Sequence, residues 1–347
     1  MINKKNLKKE INNKTILITG GTGSFGKKCT EILLNHFKPK KIIIYSRDEF
    51  KQWQIKNQID KKYLSILRFF IGDVRDLSRL NMAFKDVDIV IHAAALKQVP
   101  SAEYNPIEYI NTNIMGAQNI ILASISQNVK KIVALSTDKA ANPINLYGST
   151  KLASDKLFSA TINLVGKSDT CFSVVRYGNV IGSRGSFIPK LLELKNNLKK
   201  TIPLTSDEMT RFWISLEDSV FFVLSSLCRM RGGEIFVPKI PSVKIIDLIK
   251  IIAPKNKIKV IGIRPGEKTH EILCPEDDSY RTLEFKDHFN IFPIFEDEIL
   301  KYMKLYKINP IKEKGKIVKK NFSYTSGDKE YLMNFADAKK MMKKFYV

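Results

Sequence analysis

Residues 15–26 read TILITGGTGSFG: five strand-forming residues, then glycines at 20, 23 and 26. An apolar strand that runs straight into a glycine-punctuated turn, and from there into a helical pattern, is the phosphate-binding start of a dinucleotide fold. Gly20 permits the tight turn, Gly23 lets backbone approach a pyrophosphate, and Gly26 lets helix pack on strand. The helix N-terminus offers unpaired N–H groups and a favourable dipole, so Thr22, Ser24 and Phe25 are candidate contacts beside the glycines.

The same rhythm continues outward. TILIT (15–19), KIIIYS (41–46), LRFFI (67–71), DIVIHAA (88–94), KIVALST (131–137) and FSVVRY (172–177) read as strands. Helical stretches lie between them: Ser24 to His36, Asp48 to Asp60, Asp76 to Phe84, Pro106 to Gln127 and Tyr147 to Leu164. Near-continuous apolar strands alternating with helices predict a parallel sheet covered on both faces, an α/β, Rossmann-like doubly wound fold. Beyond residue 178 the pattern changes to a smaller mixed α/β lobe. Helices are expected at Phe187 to Asn197, Leu216 to Met230, Val243 to Ile252, Asp297 to Tyr306 and Asn334 to Lys344, with strands at Glu234 to Pro238 and Lys257 to Gly262. Residues 309–321 read as a solvated linker. The expected division is 1–178 (core from about 14) for an NADP-binding domain and 179–347 mainly for substrate, with some C-terminal segments returning to the first domain.

The chain has 347 residues, 44% hydrophobic and 27% charged, ample material for such a core. No apolar run approaches the roughly 20 residues of a spanning helix; the best, Val220 to Leu227, is far shorter. The basic start MINKKNLKKEINNK lacks the apolar core of a signal peptide, so a cytoplasmic protein with no membrane partner is expected. Cys29, Cys171, Cys228 and Cys274 are scattered, as are the four histidines, which argues against zinc and against disulfides; no metal is predicted. The net charge of +23 invites a nucleic-acid reading. However, the basic runs Lys195 to Lys200 and Lys312 to Lys320 lack interleaved aromatic platforms. No nucleic-acid partner is expected, whereas attraction of anionic small ligands is.

The tip of the second strand reads Tyr45-Ser46-Arg47-Asp48. A hydroxyl and a guanidinium come before the carboxylate, which suits a 2′-phosphate and favours NADP over NAD. Asp48 alternatively caps the next helix. Asp73, followed by Val74, ends the third strand where its side chain can accept from an adenine amino group. Ala93 to Ala95 end the fourth strand with small residues, fitted for cofactor contact or for close core packing. Tyr147 and Lys151 lie one helical turn apart on one face. A tyrosine ionises near ~10 and needs a nearby cation to serve as a base, a part Lys151 is suited to play while holding a nicotinamide ribose.

Just upstream stands STDKAANPIN (136–145). TGGTGSFG, HAAA, Asn113-x-x-Gly116 and YGSTK resemble the extended short-chain dehydrogenase/reductase superfamily. SRDE, AAALKQVP, STDKAANPINLYGSTK, RYGNVIGSRGS and IRPGEKTHE more closely resemble the soluble, configuration-inverting UDP-N-acetylglucosamine 4,6-dehydratases, from about residue 14 to 330.

The resemblance implies oxidation of the sugar at C4 with Tyr147 as base. Loss of water follows, with Lys139 as C5 base and Asp138 as C6 acid, and then reduction at C6 with inversion at C5. It also implies contacts to substrate from Lys97 (which also borders the cofactor), Thr137, Asn179, Val180 and Arg264, and a homo-oligomer such as a hexamer. The product would open pseudaminic acid synthesis for flagellin or surface glycans. A lysine base must be neutral, so its pKa is expected to fall through burial or a neighbouring cation such as Lys151. Arg211 has no assigned role. A nucleotide-sugar epimerase has no need of Asp138-Lys139; a non-catalytic dinucleotide-binding regulator would dispense with Tyr147 and Lys139.

Overall fold

The computed structural model describes residues 4–166, 168–195, 197, 201–293 and 299–346. Parts of the expected helices ending at Asn197 and starting at Asp297, and of the Lys195-to-Lys200 run, lie outside the described residues.

Six strands build the first half: β1 (Thr15–Thr19), β2 (Lys41–Ser46), β3 (Leu67–Ile71), β4 (Ile89–His92), β5 (Lys131–Thr137) and β6 (Cys171–Tyr177). They pair in parallel in the order β3-β2-β1-β4-β5-β6. The order reverses between β1 and β4, which opens a crevice above the carboxyl ends of those strands. All five residues of β1 are buried, as expected of a strand covered on both faces.

The helix caps follow from sequence. Asp48 accepts from the Lys51 amide at 2.9 Å, so the helix it precedes spans Glu49–Gln58 rather than starting at residue 48. Asn145 caps Leu146–Ala160 through the Gly148 amide at 2.8 Å and thereby sets Tyr147 in the first turn. The expected continuous helix 106–127 is interrupted by a widened π turn at Ile110–Met115. Asn113 in that turn donates to and accepts from the Leu96 backbone, each at 2.9 Å, and donates to Thr150 Oγ1 at 3.1 Å. A single asparagine thus ties the loop after β4 to the helix that carries Tyr147.

The large sheet does not stop at β6. Ile235–Pro238 joins it in parallel, followed by His288–Ile291, Thr282–Glu284 and Lys316–Ile317 in antiparallel pairing. The segment 309–321 is therefore no solvated linker. Glu313 pairs with buried Arg229 at 2.9 Å, Asn309 and Val318 are buried, and Lys316–Ile317 adds an edge strand. A lysine-rich composition conceals these few anchors. A second small sheet joins Asn179–Ile181, Thr210–Ser215 and Ser242–Lys244. Its own core includes Ile181, Ile188, Trp213, Ile249 and Met342. No helix among the described residues is long and apolar enough to cross a membrane.

Candidate active site

At the end of β1 the chain turns through Gly20 with φ +63°, and a Cβ there would meet the Ala93 oxygen and Ala94 nitrogen at 2.9 Å. Only glycine fits so close an approach of two strand ends. Thr19 Oγ1 accepts from the Ala93 and Ala94 amides at 3.1 and 3.2 Å, so its own proton goes to His92 Nδ1 at 2.8 Å. Burial, aided by Lys151, depresses His92 to about 3, and the ring is the neutral acceptor this arrangement needs. The result is a rigid cradle of Gly20, Thr22, Gly23, Ser24 and Phe25 facing Ala93 and Ala95. The floor at Gly20 leaves no room for a Cβ, and the cradle fits a dinucleotide pyrophosphate. Gly26 lies behind it, packed on Gly21.

The turn after β2 shapes the next part. Ser46, Arg47, Asp73 and Val74 line the same cleft. Asp48 is engaged as a helix cap and as the partner of the Lys51 ammonium. Asp73 is already met by Arg75, at 2.8 Å, and by Arg47, at 3.4 Å. Burial pulls its carboxyl upward, but the arginine contacts outweigh this and hold it low. Arg47 and Lys51 leave two cationic groups at this end of the cleft.

The third part is the turn after β5. Thr137, Lys139, Tyr147 and Lys151 line the cleft. The turn Asp138–Ala140 sits so near the helix bearing Tyr147 that a Cβ on Gly148 would lie 2.3 Å from the Lys139 carbonyl oxygen. Asp138 is fully buried and does not line the cleft. Its Oδ1 accepts from the Thr137 hydroxyl at 2.9 Å and from Lys139 Nζ at 3.0 Å, while Oδ2 has no hydrogen-bond partner among the described residues. Desolvation is the largest influence on this carboxyl and raises its pKa, with the Lys139 ammonium opposing.

Two expectations need correction here. Burial by itself depresses Lys139, but Asp138 and Glu271 carboxylates outweigh it, so the net shift is upward and the ammonium is favoured. The neighbouring cation that opposes this rise is Arg211, rather than the expected Lys151. The phenol of Tyr147 is pushed up to about 12 by burial, and the group that opposes this is Lys139, followed by a hydrogen bond with Thr137. Lys151 is itself depressed by burial, with Asp155 opposing. Asp155 in turn accepts from Ser136 and Arg176 at 2.9 and 3.0 Å. Lys151 thus rests on a buried polar base behind the cleft.

Lys97, Asn179, Val180 and Arg264 border the remaining wall, completing a cleft of about 930 Å³. Lys97 Nζ donates to the Arg184 carbonyl at 3.2 Å, and Arg264 pairs with Glu267 at 3.0 Å. Of the residues expected to catalyse or to bind, all but Gly26 and Asp138 reach this one surface. Sequence reasoning missed Lys51, Arg184 and Glu271. The Arg184 guanidinium donates to the Thr22 carbonyl at 2.9 Å, and its backbone amide donates to Ser24 Oγ at 3.1 Å. Glu271 closes the stretch IRPGEKTHE, so the signal was present without a role attached. Arg211 finds its place beside it, donating to the carbonyls of Thr210, Lys268 and Thr269 and standing 3.6 Å from Glu271.

A doubly wound sheet with Tyr147 and Lys151 at its switch-point cleft defines an enzyme of the short-chain dehydrogenase/reductase class. Residues 16–293 match the family of polysaccharide biosynthesis proteins. A UDP-N-acetylglucosamine 4,6-dehydratase (inverting) of Campylobacter jejuni (serotype O:23/36, strain 81-176) is 56% identical over 315 residues, covering 91% of this chain and 93% of that one. A UDP-glucose 4-epimerase of Rickettsia canadensis is 43% identical, covering 80% and 82%. The crystal structure of Pen from Bacillus thuringiensis superposes with a TM-score of 0.84 at 33% identity, covering 96% and 98%. The chain belongs to the polysaccharide biosynthesis protein family and, within it, to the inverting UDP-N-acetylglucosamine 4,6-dehydratases, which are hydro-lyases.

Proposed function

We propose that the protein removes water from UDP-N-acetylglucosamine across C5 and C6 after oxidation at C4, and inverts C5. The product is UDP-2-acetamido-2,6-dideoxy-β-L-arabino-hex-4-ulose, the precursor that opens pseudaminic acid synthesis. The observation that carries this reading is the Asp138–Lys139 pair, held 3.0 Å apart beside Tyr147 at the end of β5. Oxidation needs one base; elimination needs an acid and a second base as well.

The cradle Gly20, Thr22, Gly23, Ser24 and Phe25 would hold the pyrophosphate of a nicotinamide dinucleotide, with Ala93, Ala95, Lys97, Tyr147 and Lys151 along its length. Arg47, Ser46 and Lys51 favour the 2′-phosphate of NADP, since Asp48 is occupied as a helix cap. Bound there, the cofactor would accept the hydride from C4 and return it to C6. Tyr147 takes the proton of the 4-hydroxyl, and Lys139 takes the C5 hydrogen acidified by the 4-ketone. Asp138, buried behind Thr137, supplies the proton for the departing 6-hydroxyl through the Thr137 hydroxyl that bonds it. Lys97 and Arg264 favour the diphosphate, with Thr137, Asn179 and Val180 about the sugar. In this reading residues 1–178 serve the cofactor and 179–347 chiefly the nucleotide sugar, in a cytoplasmic homo-oligomer.

The identity of 43% to a relative named as an epimerase gives the second reading, reversal at C4 with the 6-hydroxyl kept. Incubation with UDP-N-acetylglucosamine in deuterium oxide separates the two. Loss of one water with solvent deuterium at an inverted C5 is expected, and a product of unchanged mass would reject dehydration.

A further inference from the structure

A half-buried lysine between two carboxylates is a poor base unless something manages its proton. Lys139 Nζ lies 3.0 Å from Asp138 Oδ1 and 3.3 Å from Glu271 Oε1. Glu271 is only 2% exposed, borders the cleft, and its Oε2 has no hydrogen-bond partner among the described residues. Its backbone is fixed on both sides: the Glu271 amide donates to Ser326 Oγ at 2.9 Å, and its carbonyl accepts from the Ser326 amide at 2.8 Å. A carboxylate held this firmly against a candidate base has a part to play beyond packing.

We propose that Glu271 is a positioning residue of the elimination step, holding the Lys139 ammonium in place and governing when that lysine gives up its proton. The inference rests on the dehydratase reading above. The proton account runs through the Asp138–Lys139 pair. A proton passes along the 3.0 Å contact from Nζ to Oδ1, breaking N–H, forming O–H and leaving both groups neutral. The C5–H bond then breaks and its proton goes to Nζ. The freed electron pair forms the C5–C6 double bond, C6–O breaks, and the proton held by Asp138 leaves with the hydroxyl as water. The pair ends as the ion pair it began as, and no outside acid or base is consumed.

Glu271 favours the charged end of this cycle, where Lys139 is an ammonium. Unopposed, it would trap the lysine there. Arg211, 3.6 Å from Glu271, and Lys268 temper it, while Asp138 and Tyr147 face the same ammonium from the β5 turn and the following helix. Glu271 thus sets the poise of the base from a position outside the reacting bonds.

The test is competitive acetylation of Lys139 as a function of pH, read by peptide mass spectrometry in the wild-type protein, Glu271→Gln and Glu271→Asp, alongside pH–rate profiles of water loss. In Glu271→Gln, Lys139 should titrate at least about one unit lower, equivalent to tenfold in its proton affinity. The falling limb of the rate profile, where the pair loses its one shared proton to solvent, should move down by the same amount, with a lower plateau, and Glu271→Asp should return toward wild type. A Lys139 titration and a rate limb that stay put while the plateau falls would overturn the proposal and leave Glu271 a packing residue. If Glu271→Gln does not fold, Glu271→Asp carries the test, with a smaller downward shift expected and no shift overturning it. The acetylation needs no substrate, so a wild-type protein that releases no water would sink the dehydratase reading while the Glu271–Lys139 linkage is still read separately.

Discussion

Thr137 occupies the narrow place between the cleft and a buried acid. Asp138 reaches the surface only by way of groups that bond its Oδ1, and Thr137 is the neutral one of the two. Thr137→Val keeps the shape and removes the hydroxyl, so water loss should fall on the order of a hundredfold while dinucleotide reduction at C4 persists. Thr137→Ser should recover most of the rate; product analysis by mass spectrometry follows both. Tyr147 gives a prediction with a definite sign. Its phenol is neutral below a pKa of about 12, so the phenolate fraction grows about tenfold per pH unit below that value. Single-turnover reduction of the dinucleotide should therefore climb with pH from neutrality upward. Lys139→Met, which removes the ammonium that lowers this pKa, should slow the reduction and move the climb to higher pH.

At the scale of elements, two turns shape cofactor preference and retention. The turn between β2 and Glu49–Gln58 spends Asp48 on capping and on Lys51, leaving Arg47 and Lys51 as its cationic face. Arg47→Ala should weaken NADPH binding on the order of tenfold to a hundredfold and NADH binding far less, since a charge-assisted contact to the 2′-phosphate is what it removes; calorimetry measures both. The loop after Asn179–Ile181 is pinned across the phosphate cradle by Arg184, which bonds the Thr22 carbonyl at 2.9 Å. Arg184→Ala should speed release of bound NADPH by about tenfold, the worth of one such hydrogen bond, in a stopped-flow fluorescence chase. Both turns lie in stretches that carry the family resemblance, SRDE and RYGNVIGSRGS, but neither stretch shows by itself what its arginine meets. Arg184 is separated from Thr22 by 162 positions, and only the docking of the second lobe brings them together.

The whole molecule is held by more than its repeating strands and helices. The N-terminal segment, read as a merely basic extension, forms a helix at Lys4–Ile11. It buries Leu7 and Ile11 against Leu216–Arg229, and Glu10 pairs with Lys131 at 2.9 Å. Removing residues 1–12 should cost roughly 3 kcal/mol in urea unfolding, from two buried aliphatic side chains, with the chemistry at the distant cleft intact in the surviving folded fraction. The lysine-dense 309–321 stretch contributes in the same way through Asn309, Glu313 and Val318.

The amino-acid sequence by itself determined the parallel core, the glycine cradle and the placing of Tyr147 and Lys151 on one helix face at the cleft, because each depends on neighbours within a few residues or on strand and helix periodicity. It also carried Asp138 and Lys139 as a local pair. What only the tertiary structure decided is the electrostatic state of that pair. Glu271 and Arg211 arrive from positions 132 and 72 residues further along than Lys139, and burial acts through the assembled lobes. Charge interactions reach through space in a low-dielectric interior. The fold that brings Glu271 to Lys139 therefore decides which way the lysine's proton equilibrium leans.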